Sequence, residues 1–466
     1  MLKNLKSVVI GGKEVNPIIE GGKGVAVSTG ATAGAFAATN SVGTFSGVNA
    51  NWLDDNGEII PLIYKGKTRL ERHKELIEYS IKGGISQAKR AFDVAKDKGR
   101  IHMNVLWEMA GVQKVLHGVL EGAKGLIHGV TCGAGMPYKL ADISKQYNIH
   151  YYPIVSSMRA FRALWKRSYS KTKELLGGVV YEDPWRAGGH NGLSNVEDPL
   201  KPQDPYPRVA EIRKFMDSVG LEDVPIIMAG GVWYLRDWQD WLDNKEIGPV
   251  AFQFGTRPLL TQESPIPADW KSTILDLKEG EVALNKFSPT GFYSSAVNND
   301  FIGELYQRSA RQVAYSRDPH DDMTEAMTFG PRARNVYMSA ENKQKAQEWI
   351  TQGFTESLRT PDNTLIFVDP AKRDEIIKDQ VDCMGCLSHC QFSNWKDHDD
   401  YTTGHRADPR SYCIQKTLQN AIEGTEVNNN LVFAGHGAFN FAKDPFYANG
   451  NIPTVAQLVD RIKTGD

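Results

Sequence analysis

The chain has 466 residues, 41% of them hydrophobic, and a formal net charge of −2. That length supports a large core, and that charge balance gives no global argument for a nucleic-acid partner. No 18-residue apolar run suggests a membrane span, and five cysteines are too sparse and odd in number for a secreted disulfide scaffold.

The first fifteen residues, "MLKNLKSVVIGGKEV", lack the apolar core of a signal peptide, so a cytoplasmic protein is expected. From residue 24 to 261 short apolar runs alternate with helical patterns. The runs predict strands at "GVAVS" (24–28), "HMNVLW" (102–107), "GLIHGV" (125–130), "HYYPIVS" (150–156), "GGVVYE" (177–182), "VPIIMAG" (224–230) and "PVAFQFG" (249–255). Helices are predicted at 74–98, 206–219 and 236–244. Alternating β and α elements imply a parallel sheet with helices outside it. Seven strands in this span suit an α/β fold, a (β/α)8 TIM barrel with an eighth strand undetected. An open doubly wound sheet is the runner-up, but no GxGxxG follows the first strand.

Beyond residue 262 the chain is richer in proline and asparagine and less periodic, with one clear helix at 340–354. The division expected is a barrel at 1–270 and a C-terminal region at 271–466 packed on it. The stretch 382–412 is too polar to build its own core, and a bound metal would supply the missing stability.

Two successive strands end in glycine-rich loops, "MAGGVW" (228–233) and "FQFGTRP" (252–258). In barrels the loops after strands seven and eight commonly clamp a phosphate. Gly230, Gly231, Gly255 and Thr256 would offer N–H groups or a hydroxyl, and Arg257 could add charge. In "RAGGHNG" (186–192), glycines frame His190 beyond a strand end, a suitable place for a general base. The stretch 157–173 carries Arg159, Arg162 and Lys166 on one helical face and Phe161, Leu164 and Trp165 on another. It reads as a solvated amphipathic helix or as a dock for an anionic partner.

Four cysteines follow the pattern C-x2-C-x3-C-x22-C: Cys383, Cys386, Cys390 and Cys413. Four thiolates can hold tetrahedral zinc or a [4Fe–4S] cluster, and three clustered ligands with one remote favour the cluster. The fifth, Cys132, is expected at a strand end facing the same mouth as His190, as a small buried side chain. His436, between glycines in "AGHGAF", either lies over that mouth or only turns the chain.

Taken in order, "PIIEGGKGVAVS" (17–28), "MNV" (103–105), "GAGMP" (133–137), "AGGHNG" (187–192), "VPIIMAGGV" (224–232) and "FQFGTRPLLTQES" (252–264) resemble the nitronate monooxygenase (2-nitropropane dioxygenase) family. The resemblance covers roughly residues 15–265. It implies a barrel binding FMN at the C-terminal ends of its strands, with Asn104 on the flavin and His190 as catalytic base. Gly22, Gly188 and Gly189 would line the cofactor site, and Gly230, Gly231, Gln253, Gly255 and Thr256 would hold its phosphate end. Lys23 stands where the family commonly has methionine. The family is similar in fold to flavin-dependent enoyl reductases, whose "SP-x-G" segment "SPTGFYSSAV" (288–297) resembles. A branch of the family carries a four-cysteine [4Fe–4S] site after the barrel, and one of its members acts in unsaturated fatty acid synthesis as an acyl-carrier-protein dehydrogenase/isomerase. The resemblance therefore implies an FMN-dependent oxidoreductase of acyl thioesters, possible as a homodimer. Nitronate oxidation with O2, or a zinc-bearing barrel without catalysis, are the alternatives.

Overall fold

The computed structural model describes residues 2, 4–329 and 334–465. Eight parallel strands close into a barrel: β1 (Ile18–Glu20), β2 (Val42–Ser46), β3 (Arg100–Leu106), β4 (Gly129–Gly133), β5 (His150–Val155), β6 (Val179–Glu182), β7 (Ile226–Ala229) and β8 (Val250–Phe254). Closure comes from β8 pairing with β1, Phe252 opposite Ile18. Strands such as β2 and β4 are buried on both faces, as a sheet wrapped in helices requires. A hairpin of Val8–Ile10 and Lys13–Val15 plugs the N-terminal end, adding Val8, Ile10 and Val15 to the interior layer of Ile19, Val42, Val180 and Ile227.

Two strand assignments change. The run 24–28 is a turn, with Ala26 in the left-handed region at φ 58°, and the first barrel strand lies upstream at Ile18–Glu20. Its valines are buried because they wall a cavity, which gives an apolar run without a strand. The undetected strand is β2, whose "VGTFS" is too mixed in polarity to stand out. The stretch 236–244 forms short 3-10 turns, not an α-helix.

The long helix Arg69–Ala95 starts at a capping box, Thr68 with Glu71, and buries Leu76, Ile77, Ala88, Ala91 and Ala95. The C-terminal helix Val455–Thr464 returns to the barrel. It buries Val455, Leu458, Val459 and Ile462, one stripe of a helix, beside the helix Gly30–Ala38. Between β8 and that helix the chain builds a small sheet of Val282–Asn285, Ser294–Val297 and Gly189–His190, so one of its strands comes from the loop after β6. A second three-stranded sheet, with the helix Ala340–Thr351, has its own core around Val313, Met338 and Phe367.

The cysteine segment is better packed than its polarity implies. Trp395 is 1% exposed, and Cys383, Cys386, Leu387, Cys390 and Phe392 join the main core. Arg69 donates to the carbonyls of Ser393 and Gln380, Arg72 to those of Val381 and Cys383, and His73 Nδ1 lies 2.9 Å from Gly385 O. One turn of the long helix therefore straps the segment to the barrel.

At the opposite end of the barrel His102, His128 and His150 gather near Arg100. His102 stacks on Tyr152 at 4.3 Å, and His128 Nδ1 accepts from Ile101 N–H. Burial lowers all three, His128 to about 4, and the neighbouring positive charge adds to it. A histidine depressed in the folded state costs nothing above its unfolded value near 6.5 and is penalised as pH falls from there through about 4. Thermal melts should therefore be flat above pH 6.5, with Tm falling on the order of 5 °C or more by pH 5. A His128→Gln variant should flatten that slope.

Candidate active site

The strands' C-terminal ends open into one cavity of about 230 Å3. Its wall brings together Gly22, Asn104, Gly188, Gly189, His190, Gly230, Gly231, Gln253, Gly255 and Thr256, the ten positions expected from the sequence outside the cysteines. Lys23, Arg257 and Cys386 line it too.

Close packing explains several of the glycines. A Cβ on Gly22 would fall 2.2 Å from Asn104 Cβ, so only glycine lets Asn104 reach the cavity. A Cβ on Gly188 would meet the Ala434–Gly435 peptide at 2.7 Å. Gly230 and Gly231 turn the chain after β7 with φ of 88° and 78°. At Gly255 a Cβ would meet nothing within 4 Å, leaving a recess there. Beside it Arg257 is 1% exposed. Its Nη1 donates to Trp233 O at 2.9 Å, while Nε and Nη2 have no hydrogen-bond partner of good geometry. Open space and unspent buried cationic donors suit an anionic group such as a phosphate.

His190 is held by the small sheet, opposite Ser294. Its Nε2 lies 2.6 Å from Ser288 Oγ, and Phe433 packs edge-on to its ring at 5.5 Å. Burial lowers its pKa to about 4, so the imidazole is neutral at neutral pH.

Lys23 does not point to solvent. Its Nζ donates to Gly21 O at 2.7 Å and to Glu20 Oε1 at 3.2 Å, while Thr44 N–H donates to Glu20 Oε2. Burial pushes Glu20 up and Lys23 down, and their mutual attraction opposes both shifts.

Glu182, the last residue of β6, was not singled out by any motif. It faces the cavity, and burial with Asp183 beside it raises it to about 8. The available signal was an acidic pair, Glu182 and Asp183, closing an apolar strand. The segment Phe433–Gly435, with Gly437, also walls the cavity, and Gly435 N–H donates to Thr256 Oγ1 at 3.0 Å. His436 itself does not line the cavity: it is half-buried, with Nδ1 3.3 Å from the buried Ser295 Oγ. Cys132 does not face the mouth: it is fully buried in the core behind β4, and burial pushes its thiol far up. Such a thiol is inert.

The four clustered cysteines are free thiols. Cys386 lies within the electrostatic reach of the other three, and Cys383 Sγ is 3.1 Å from Ser393 Oγ. Among the described residues no three His, Cys, Asp or Glu side chains close up to the range of one metal ion. Cys386 borders the His190 cavity, and Cys413 borders a second, more polar hollow of about 390 Å3.

A family model described as nitronate monooxygenase matches residues 87–368, more than half of the chain. This chain belongs to the nitronate monooxygenase family. The four clustered cysteines lie outside the matched stretch. Probable nitronate monooxygenases of Staphylococcus aureus strains Newman and USA300 are 31% identical over 121 residues, 26% of this chain and 32% of theirs. The match thus spans about a third of the length of those curated relatives. Among solved structures, FabK from Thermotoga maritima aligns over 96% of this chain and 92% of its own at 15% identity, with a TM-score of 0.50. The enoyl reductase domain of MlnA from the macrolactin biosynthesis cluster of Bacillus amyloliquefaciens aligns over 97% and 93% at 12% identity, with a TM-score of 0.54. At such identities these two show the shared fold.

Replacing Lys23 by Met, the residue common in the family, would leave Glu20 buried and uncompensated. Denaturant unfolding should show a loss of about 3 kcal/mol, and the Glu20→Gln/Lys23→Met double variant should recover more than half of it.

Proposed function

We propose that this chain is an FMN-dependent oxidoreductase that dehydrogenates, isomerises or reduces acyl thioesters, with a [4Fe–4S] cluster on its four clustered cysteines. The observation that carries this reading is one cavity at the strands' C-terminal ends walled by a neutral histidine, by a recess with a buried arginine beside it, and by one of the four thiols.

Gly255, Thr256 and Arg257 would hold the phosphate end of the flavin, and Gly22 and Asn104 its ring. Bound FMN would supply a hydride acceptor or donor. His190 would take a proton from the carbon next to the thioester carbonyl. Its conjugate acid is strong, because burial disfavours the imidazolium, so the proton is returned readily; that suits a double-bond shift. Apolar walls from Val25, Val48, Leu106, Ile154 and Phe433 exclude water and accept an acyl chain.

Donor chemistry supports a cluster over one zinc ion. All four ligands are thiols, and three of them fall close together in sequence with the fourth remote, a pattern that suits a cluster better than the paired ligands usual around one zinc ion. Acyl carrier protein is the proposed form of the substrate. Arg159, Arg162 and Lys166 are exposed on the helix Met158–Arg167, while Phe161, Leu164 and Trp165 are buried beneath them. That helix starts beside the His190 loop, where Ser156 Oγ donates to Gly192 O at 3.1 Å. Family membership supports nitronate oxidation as the second reading.

Protein purified anaerobically should show flavin absorption plus a broad shoulder bleached by dithionite, with about four irons per chain. Flavin without iron removes the cluster, and a colourless protein removes the whole reading. His190→Ala should cut turnover of a saturated acyl-pantetheine thioester by roughly 10²–10⁴-fold with FMN retained. Activity on nitroalkanes alone would favour the second reading. Arg159→Glu/Arg162→Glu should raise KM for acyl carrier protein substrates about tenfold, more at low salt, and leave the pantetheine thioester unaffected.

A further inference from the structure

Between the strands Val282–Asn285 and Ser294–Val297 the chain runs through Ser288, Pro289, Thr290 and Gly291. Gly291 N–H donates to Ser288 O at 3.0 Å, closing a turn with proline at its second position. The turn sets Ser288 Oγ 2.6 Å from His190 Nε2 and 2.8 Å from Thr290 Oγ1. Two backbone donors fix the hydroxyls: Thr290 N–H on Ser288 Oγ at 3.3 Å and Phe292 N–H on Thr290 Oγ1 at 3.2 Å. Ser288 is 2% exposed, Thr290 is half-buried, and Gly291 and Phe292 are exposed. The chain of hydroxyls thus runs from the histidine to the surface, away from the cavity. His190 Nδ1 has no hydrogen-bond partner among the described residues, and the ring lines the cavity.

We propose that Ser288, backed by Thr290, is a positioning residue that keeps the neutral His190 protonated on Nε2, so that the Nδ1 lone pair faces the cavity and is the atom that takes the substrate's proton. This rests on the reading of His190 as the base. His190 Nε2–H donates to Ser288 Oγ, Ser288 O–H donates to Thr290 Oγ1, and Thr290 O–H is left for solvent. Each oxygen then accepts two hydrogen bonds and donates one. Reversing the chain would put the proton on Nδ1 and leave an N–H without an acceptor on an apolar wall, which proteins avoid more strictly than an idle lone pair. When Nδ1 takes the substrate's proton, the ring becomes a cation and its Nε2–H bond to Ser288 strengthens. When Nδ1 returns that proton, the starting tautomer is restored with no atom of the chain rearranged.

The test uses full-length holoenzyme labelled with 15N-histidine, with His190 resonances assigned by their loss in His190→Gln. Wild type should show the Nε2–H tautomer at pH 7.5. Ser288→Ala should show a mixture of tautomers and a kcat for the acyl-pantetheine thioester reduced roughly 10–100-fold, with KM within about twofold. Ser288→Thr should restore both. An Nδ1–H tautomer in wild type, or an unchanged tautomer in Ser288→Ala, overturns the proposal. The wild-type spectrum decides the matter even where Ser288→Ala does not fold. Turnover that survives His190→Ala overturns the base reading instead, and the tautomer spectra still report on Ser288.

Discussion

Gly188 and the Ala434–Gly435 peptide touch with no room for a side chain between them. This contact joins a loop at the top of β6 to a segment nearly 250 residues later, and the site depends on it. The 433–437 segment forms one wall of the cavity, sets Phe433 against the His190 ring and gives Thr256 a backbone donor. An imidazole left in water would titrate near 6.5. Burial instead leaves His190 neutral well below that, which is the state a base needs. The histidine's surroundings thus include a distant stretch of chain as well as its own loop.

Charge inside so dry a space has to be balanced locally. Glu20 and Lys23 balance each other, buried Arg257 near Gly255 keeps Nε and Nη2 without a hydrogen-bond partner of good geometry, and burial raises Glu182 to about 8. One of the four thiols lies against the same space. Cys386 is in the wall of the His190 cavity, while Cys413 faces a second hollow lined by Arg308, Lys416 and Asp379. The cysteine segment is held there by Arg69, Arg72 and His73, all on one turn of a barrel helix, and by the burial of Trp395. Its packing therefore does not depend on a metal alone.

The barrel was legible because its signals are local. Short apolar runs mark six of the eight strands, and glycine-rich loops mark ends where the cavity opens. The misread run at 24–28 has a physical reason: valines that wall a cavity and valines in a strand look alike in sequence. β2 escaped because its alternation is blurred by Gly43, Thr44 and Ser46. Among the cavity positions, glycine-rich loops marked His190, Gly230, Gly231, Gly255 and Thr256 locally, whereas Gly22, Asn104, Gly188, Gly189 and Gln253 followed from the family resemblance. Glu182 and Ser288 were not assigned roles, and the 433–437 stretch reads either as lying over the mouth or as a simple turn, because nothing in their own neighbourhoods announces what they touch.

The sequence by itself determined the alternation that makes a parallel barrel, the glycine-framed histidine and the four-thiol pattern, because each is written in spacings of a few residues. Only the tertiary structure decided that Lys23 turns inward to Glu20, that Cys132 is locked in the core, and that Ser288 reaches His190. It also decided that the last helix, Val455–Thr464, returns to pack beside Gly30–Ala38. Those outcomes depend on which surfaces far apart in the chain bury one another. Burial of that kind is a property of the closed fold, and no local spacing encodes it.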